Sequence, residues 1–265
     1  MRYIHSRNRA ILSEMVRTDF KVRYQGSVLG YLWSLLKPLL LFGVLYVLFT
    51  YIAPIGRGVE HYGVSLLLGI VLWNFFAEST MIGASSVVAR GDLLRKVSIP
   101  RYLVVLASSF SAFINLGLSM IVVLVFAIFN GVMPHLSWLV LLLVILELFI
   151  FSLGVTFVLA TAYVRYRDVT YIWEVVLQAG FYASMIIVPI SIVPTHLHDW
   201  FFMNPIVQMA QDARAALLHS GNVPTIWSTV DKMPFKIMPF IIIAVVSLLG
   251  YRYFKSRSKY FAEDV

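Results

Sequence analysis

The sequence predicts an all-α integral membrane protein: six transmembrane helices, an N-terminal amphipathic helix at the interface, and short gate helices on the outer face. Three observations predict it. The 265-residue chain is 60% hydrophobic and 13% charged, with mean hydropathy +0.85, and too few polar side chains remain to cover a water-soluble sphere. Soluble proteins run near ~45–50% apolar and ~25% charged. The apolar residues fall in continuous runs, without the alternation of ~10-residue barrel strands. Lys and Arg are dense in every second connecting segment and sparse in the others, as in loops on the two sides of a membrane.

In residues 1–28, Ile4, Ile11, Leu12, Met15, Val16 and Phe20 recur at helical spacing opposite Arg7, Ser13, Glu14, Arg17 and Lys21. That pattern predicts a helix lying along the cytoplasmic interface. The first 27 residues lack the apolar stretch of a cleavable signal peptide. Spans are predicted over 30–52, 63–88, 102–129, 138–163, 169–193 and 237–254, because about 20 apolar residues cross the ~30 Å hydrocarbon layer. Six spans put both termini, including the tail 255–265, on one side. Segments on that side carry seventeen Lys and Arg: seven in 1–37, then Arg90, Arg95, Lys96 and Arg101, then Arg165 and Arg167, then four in 252–259. The other side carries four, Arg57, Arg214, Lys232 and Lys236. Both termini are therefore predicted in the cytoplasm. The formal charge of +8 reflects topology and anionic lipid headgroups, not a nucleic-acid partner. The whole of 1–265 reads as one transmembrane domain.

The outer segment 195–236 is too polar to span. Asn204 suits an N-cap, Pro205 the first helical position and Gly221 a C-terminal stop. Ile206, Met209, Ala213 and Leu217 form an apolar face between them. A short amphipathic helix with a partner is predicted to cap the outer mouth.

Several chemistries are excluded. The chain has no cysteine, so it offers no thiol nucleophile and no Cys-ligated metal. It contains no G-x-x-x-x-G-K-[ST], and thus no phosphate-cradling loop of its own. All six histidines lie outside the predicted spans. His196 and His198 lack further ligands, so no metal site is predicted.

Ionisable residues inside spans are expensive, about 2.5–3.5 kcal/mol at mid-membrane, and therefore informative. Three are acidic, Glu78, Glu147 and Glu174. Asn74, Glu78 and Ser85 share one helical face; Tyr171, Glu174, Gln178 and Tyr182 share another; Ser108, Ser111, Asn115 and Ser119 a third. Small hydroxyls such as Ser108 and Ser111 suit close helix packing. For the Glu78 and Glu174 faces two readings stand side by side, a wet path and an interhelical hydrogen bond; Glu147 reads as structural. Tyr46 and Tyr182 offer rings on which a sugar could stack. Gly26 and Gly30 match GxxxG at the interface, where a turn is the expected role.

The run Arg23-Tyr24-Gln25-Gly26-Ser27-Val28-Leu29-Gly30-Tyr31-Leu32-Trp33-Ser34-Leu35-Leu36-Lys37-Pro38 resembles the entry to the first span in permease subunits of polysaccharide-exporting ABC transporters. These are the type-2 exporters of O-antigen, capsule and teichoic acid. Leu93 to Arg101, Arg165-Tyr166-Arg167-Asp168-Val169, and Asn204-Pro205 with Arg214 follow in matching order, so the resemblance covers the whole chain.

The resemblance implies a homodimer in a bacterial inner membrane. Each copy would carry a separate ATP-binding cassette ATPase that holds ATP and magnesium, and the cargo would be a lipid-linked glycan. It further implies that the loop 90–101 couples to the ATPase through Asp92, Leu94, Arg95, Lys96 and Ile99, with Pro100 ending a short helix. Arg165, Arg167 and Asp168 would form an ion-pair corner on the same face. Tyr46, Asn74, Glu78, Tyr171, Glu174, Gln178 and Tyr182 would line the path, and Asn204, Pro205 and Arg214 would belong to the outer gate. Three alternatives remain: a permease of the same fold for drugs or lipids; an ion-driven secondary transporter, for which no pair of broken inverted repeats is visible; and a membrane scaffold without transport activity, which would leave the Glu78 and Glu174 faces unexplained.

Overall fold

The computed structural model describes residues 2–24, 30, 32–53, 55, 56, 58–97, 99–219, 221–259 and 261. Residues 25–29 and 31 of the entry motif, including Gly26, lie outside the described residues, as do Arg57, Ser98, Ser220 and the side chains of Ile4, Phe20 and Arg23. The helices in chain order are α1 (Arg2–Tyr24), α2 (Leu32–Val47), α3 (Tyr62–Ala89), α4 (Gly91–Lys96), α5 (Tyr102–Phe129), α6 (Trp138–Arg165), α7 (Val169–Ala183), α8 (Thr195–Phe202), α9 (Pro205–Leu218), α10 (Ile226–Thr229) and α11 (Met233–Arg257). A π-helical turn, Leu48–Ile52, continues α2. Pro38 inside α2 and Pro239 inside α11 each withhold a backbone donor from the helix.

Among the described residues five helices are long and apolar enough to cross a bilayer: α2 with its π turn, α3, α5, α6 and α11. The predicted fifth span, 169–193, is helical only as far as Ala183. Its helix α7 stops after 15 residues, about 22 Å long, short of the ~30 Å core. Ser184 caps it, Met185 turns left-handed at φ 52°, and a 3₁₀ turn, Ile190–Ile192, follows. Further on, Pro189 and Pro194 fix φ and remove two backbone donors within the apolar run.

Helix α3 is the axis of the bundle, apolar all round and buried along most of its length. It packs on α5 and α6, and α6 packs in turn on α11. Rings interleave at these seams: Phe76 stacks on Phe151 at 5.6 Å, and Phe113 meets Phe149 edge-on at 5.1 Å. Helices α6 and α11 approach backbone to backbone. A Cβ added at Gly154 would lie 2.6 Å from Ser247 Cα, and Ser247 Oγ donates to the Ile150 carbonyl at 3.1 Å. Small residues permit such contact where apolar side chains have no water to escape from.

The two ends of the bundle differ. At one end Val87, Val105, Phe157, Val164, Phe254 and Phe261 cluster under Leu94, which also reaches Met15, Val104 and Ala107. Helix α1 and the end of α11 therefore share an end with α4. At the other end lie α8, α9 and α10, with Trp138 Nε1 of α6 donating to the Leu217 carbonyl at 2.9 Å.

Two local expectations are corrected. Helix α4 ends at Lys96, with Val97 already extended; Pro100 instead opens α5, accepting from Leu103 N at 2.9 Å. Helix α9 stops at His219, in left-handed backbone at φ 49°, two residues before Gly221. The N-cap is as the sequence predicts, since Asn204 Oδ1 accepts from Ile206 N at 3.0 Å and Pro205 follows. Helix α9 has no wet face, because Val207, Gln208, Gln211 and Arg214 are buried along with Met209 and Leu217. It is a wedge against α3 and α6.

Candidate functional site

The end carrying α1 and α4 presents a basic, rigidly seated face. Asp92, Arg95 and Lys96 are exposed, and Leu94 and Ile99 are half-buried. An open groove of about 650 Å³ runs between Leu94, Arg95, Ile99, Arg101 and Ser258. Leu94 is the anchor, packed against both clusters that hold α1, α5 and α11 at this end. On α1, Met15 is buried with Ile11, Leu12 and Val16 around it, while Arg7, Ser13, Glu14, Arg17 and Lys21 are exposed. The amphipathic helix therefore lies on α5. Arg90 of the α3–α4 corner ion-pairs with Asp19 of α1; burial pushes the Arg90 pKa down, which leaves it dependent on that partner.

Arg165, Arg167 and Asp168 are exposed between α6 and α7. Among the described residues no ion pair joins them. Arg165 lies over the Tyr166 ring at 5.4 Å and Arg167 over the Tyr163 ring at 5.2 Å, so the corner is held by cation–π contacts. The Asp168 carbonyl accepts from Tyr171 N and Ile172 N in the first turn of α7.

Within the bundle a groove of about 860 Å³ opens between α2, α3 and α5. Lys37, Asn74, Glu78, Asn115 and Ser119 supply its polar wall. Asn115 Nδ2 donates to Glu78 Oε1 at 2.7 Å across the α3–α5 seam, so this carboxylate both ties two helices and faces a groove. Tyr46 is elsewhere, half-buried on Phe42 at 5.4 Å and over Gly63. The α7 stripe lies on the far side of α3. Trp173 Nε1 donates to Thr80 Oγ1 at 2.9 Å and Phe181 meets Trp73 at 6.0 Å, which turns Tyr171, Glu174, Gln178 and Tyr182 outward, all exposed. Within one chain, Glu78 and Glu174 do not converge.

At the opposite end Arg214 is buried, donating to the carbonyls of Ser65, Met185 and Ile186. Burial pulls its pKa down to about 10, which still leaves it charged at neutral pH.

The profile of the ABC-2 type transporter family matches residues 12–218, from the second half of α1 through the last turn of α9. The chain belongs to that family. Over 262 residues it is 29% identical to the O-antigen export system permease protein RfbA of Myxococcus xanthus, covering 97% of this chain and 96% of that protein. A permease of the same name from Klebsiella pneumoniae is 25% identical over 244 residues, 92% of this chain and 93% of that one.

This ABC-2 transporter also holds a polar node that sequence reasoning missed. Gln208 Nε2 of α9 donates to Asp212 Oδ2 at 2.7 Å and to Glu147 Oε2 of α6 at 3.4 Å. The sequence offered only their spacing, Gln208 and Asp212 being four apart on one helix face; that Gln208 is buried there came from the structure. Burial raises the Asp212 pKa from its ordinary 3.8. A carboxyl with a raised folded-state pKa favours the protonated form, so its stabilising contribution is complete in acid and is lost as pH climbs through the folded pKa. Asp212→Asn is therefore expected to raise the melting temperature at neutral pH and to flatten its acid-to-neutral dependence. Melting curves in detergent across that range check it, and an unchanged slope would contradict it.

Proposed function

We propose that this ABC-2 transporter is the permease subunit through which a lipid-linked polysaccharide of the O-antigen type crosses a bacterial inner membrane. Two copies pair, and each carries a separate ATPase subunit, with its ATP and magnesium, on the face formed by α1, α4 and the α6–α7 corner. Both termini lie in the cytoplasm. The observation that carries this reading is the end-to-end likeness to O-antigen export permeases.

The geometry supports it at two points. Glu174 stands exposed in the predicted fifth span between exposed Tyr171 and Tyr182, and a carboxylate left against lipid is costly. A second copy laid over α2 and α7 covers it and turns the stripe into the wall of a shared path. The substrate needs such a wall, since each unpaired sugar hydroxyl moved into hydrocarbon costs about 2–7 kcal/mol. Its lipid anchor gains ~0.8 kcal/mol per buried CH₂ and stays in the bilayer, entering sideways. ATP binding then shifts α4 and α1 as levers, and Leu94 passes the movement to α5 and α11. Because α9 is wedged against α3 and α6, the outer mouth opens with those helices, not by a free flap.

Proteoliposomes holding this chain together with its ATPase are expected to move lipid-linked glycan only when ATP and magnesium are supplied. Uphill transport by the chain alone would overturn the reading.

A further inference from the structure

A cavity of about 200 Å³ lies at the end of the bundle opposite α1 and α4, among the loop before α3, the chain that follows α7 and the loop after α9. Arg214 forms part of its wall and is 6% exposed. Its Nε donates to Ser65 O at 3.3 Å, Nη1 to Met185 O at 3.1 Å and Nη2 to Ile186 O at 2.7 Å. These bonds account for where the side chain sits: the chain breaks out of helix at Met185, and carbonyls freed at a helix end need donors. They use three of the five N–H groups of a guanidinium.

They do not match its charge. Among the described residues no carboxylate stands within ion-pair distance of Arg214. Asp212 turns instead to Gln208, and Glu60, on the cavity wall, lies 3.8 Å from His61. Buried charges are paired as a rule. Apart from the Glu60 carboxylate, the polar groups added to the wall are neutral, among them the Ser65 and Ser191 hydroxyls and the Gln211 amide. The result is a donor-bearing recess beside a fixed, unmatched cation.

We propose that this cavity binds a phosphate-bearing group through Arg214. A phosphate, more than a carboxylate, suits the recess. Its several oxygens can meet the guanidinium fork and also hydroxyl and amide donors arriving from α3, α9 and the 3₁₀ turn, whereas a flat carboxylate has two oxygens to share. Two lipids carry that chemistry: the headgroup of an ordinary phospholipid, and the phosphate that would join a glycan to its lipid carrier. The second source rests on the export reading above; the site itself does not.

The test uses the full-length chain in a phosphate-free glycoside detergent, titrated with inorganic pyrophosphate and read by calorimetry. Saturable binding is expected. Arg214→Lys, which keeps the charge but loses the fork, and Ser191→Asp, which sets a like charge beside the ligand, are each expected to weaken it about tenfold or more. Ser191 is exposed, so S191D is expected to melt like the parent without ligand and thereby separates binding from folding. No binding by the parent, or equal binding by the parent and S191D, overturns the proposal. Displacement of the bound pyrophosphate by a short-chain polyprenyl pyrophosphate identifies the carrier as the source; displacement by short-chain phosphatidylglycerol identifies the phospholipid. Displacement by neither overturns it. Binding that persists in a protein unable to export glycan sinks the export reading alone, and export without binding sinks this inference alone.

Discussion

Gly154→Leu is expected to abolish accumulation of folded protein. A Cβ there meets Ser247 Cα and backbone N at 2.6 and 2.9 Å, and on the facing helix a Cβ at Gly250 would run into the Gly154 carbonyl. Backbone atoms cannot swing aside as a flexible side chain can, so α6 and α11 must separate. That forfeits the Ser247 to Ile150 bond and the packing of the bundle's last helix. Overpacking a core costs about 1–3 kcal/mol where side chains can adjust, and a clash of two backbones lies above that range. Gly117→Leu is the matched control, a glycine inside α5 with nothing within 4 Å of an added Cβ; it gains helix propensity of about 0.8–1.0 kcal/mol against glycine's own deficit. Size-exclusion profiles and melting temperatures in detergent compare the two. Equal behaviour would contradict the close approach of α6 and α11.

Arg95→Glu with Lys96→Glu is expected to reduce ATP-driven export about tenfold or more, with the permease still folded. Both side chains are exposed, so they contribute little to the bundle. Their fit to the C-terminal dipole of α4 is worth about 0.3–1 kcal/mol. On the proposed function the loss is expected to fall on docking of the ATPase, where a reversed charge pair would disrupt complementarity and slow encounter. A purely topological role for these residues makes a different prediction, since the change would then move the C-terminus across the membrane. Transport, ATPase pull-down and a C-terminal topology reporter distinguish them. Full export with the reporter unmoved would remove α4 from the coupling path.

The legible features of this chain were those with local causes. Helix α5 occupies 102–129 as the apolar run predicts, α3 and α6 fall within two residues of theirs, and the Asn204-Pro205 start of α9 follows from one side chain and one ring. The spacing of Ile11, Leu12, Met15 and Val16 announced the face by which α1 is seated. Hydropathy did not show that the helix in 169–193 ends at Ala183, because it sums transfer free energies and is blind to backbone direction. Pro189, Pro194 and the left-handed Met185 change the path of the chain while leaving its apolarity high.

The amino-acid order by itself determined that this protein resides in a membrane, how its helices alternate, and which end gathers the basic residues, because burial of apolar residues and placement of charge act on each segment separately. Tertiary structure alone decided which polar groups meet. Glu78 joined Asn115 from 37 residues away, Glu174 was turned outward by Trp173 and Phe181, and Arg214 was carried to the carbonyls beyond α7. Helix rotation and crossing arise from packing between segments distant in the chain, and no single segment encodes them.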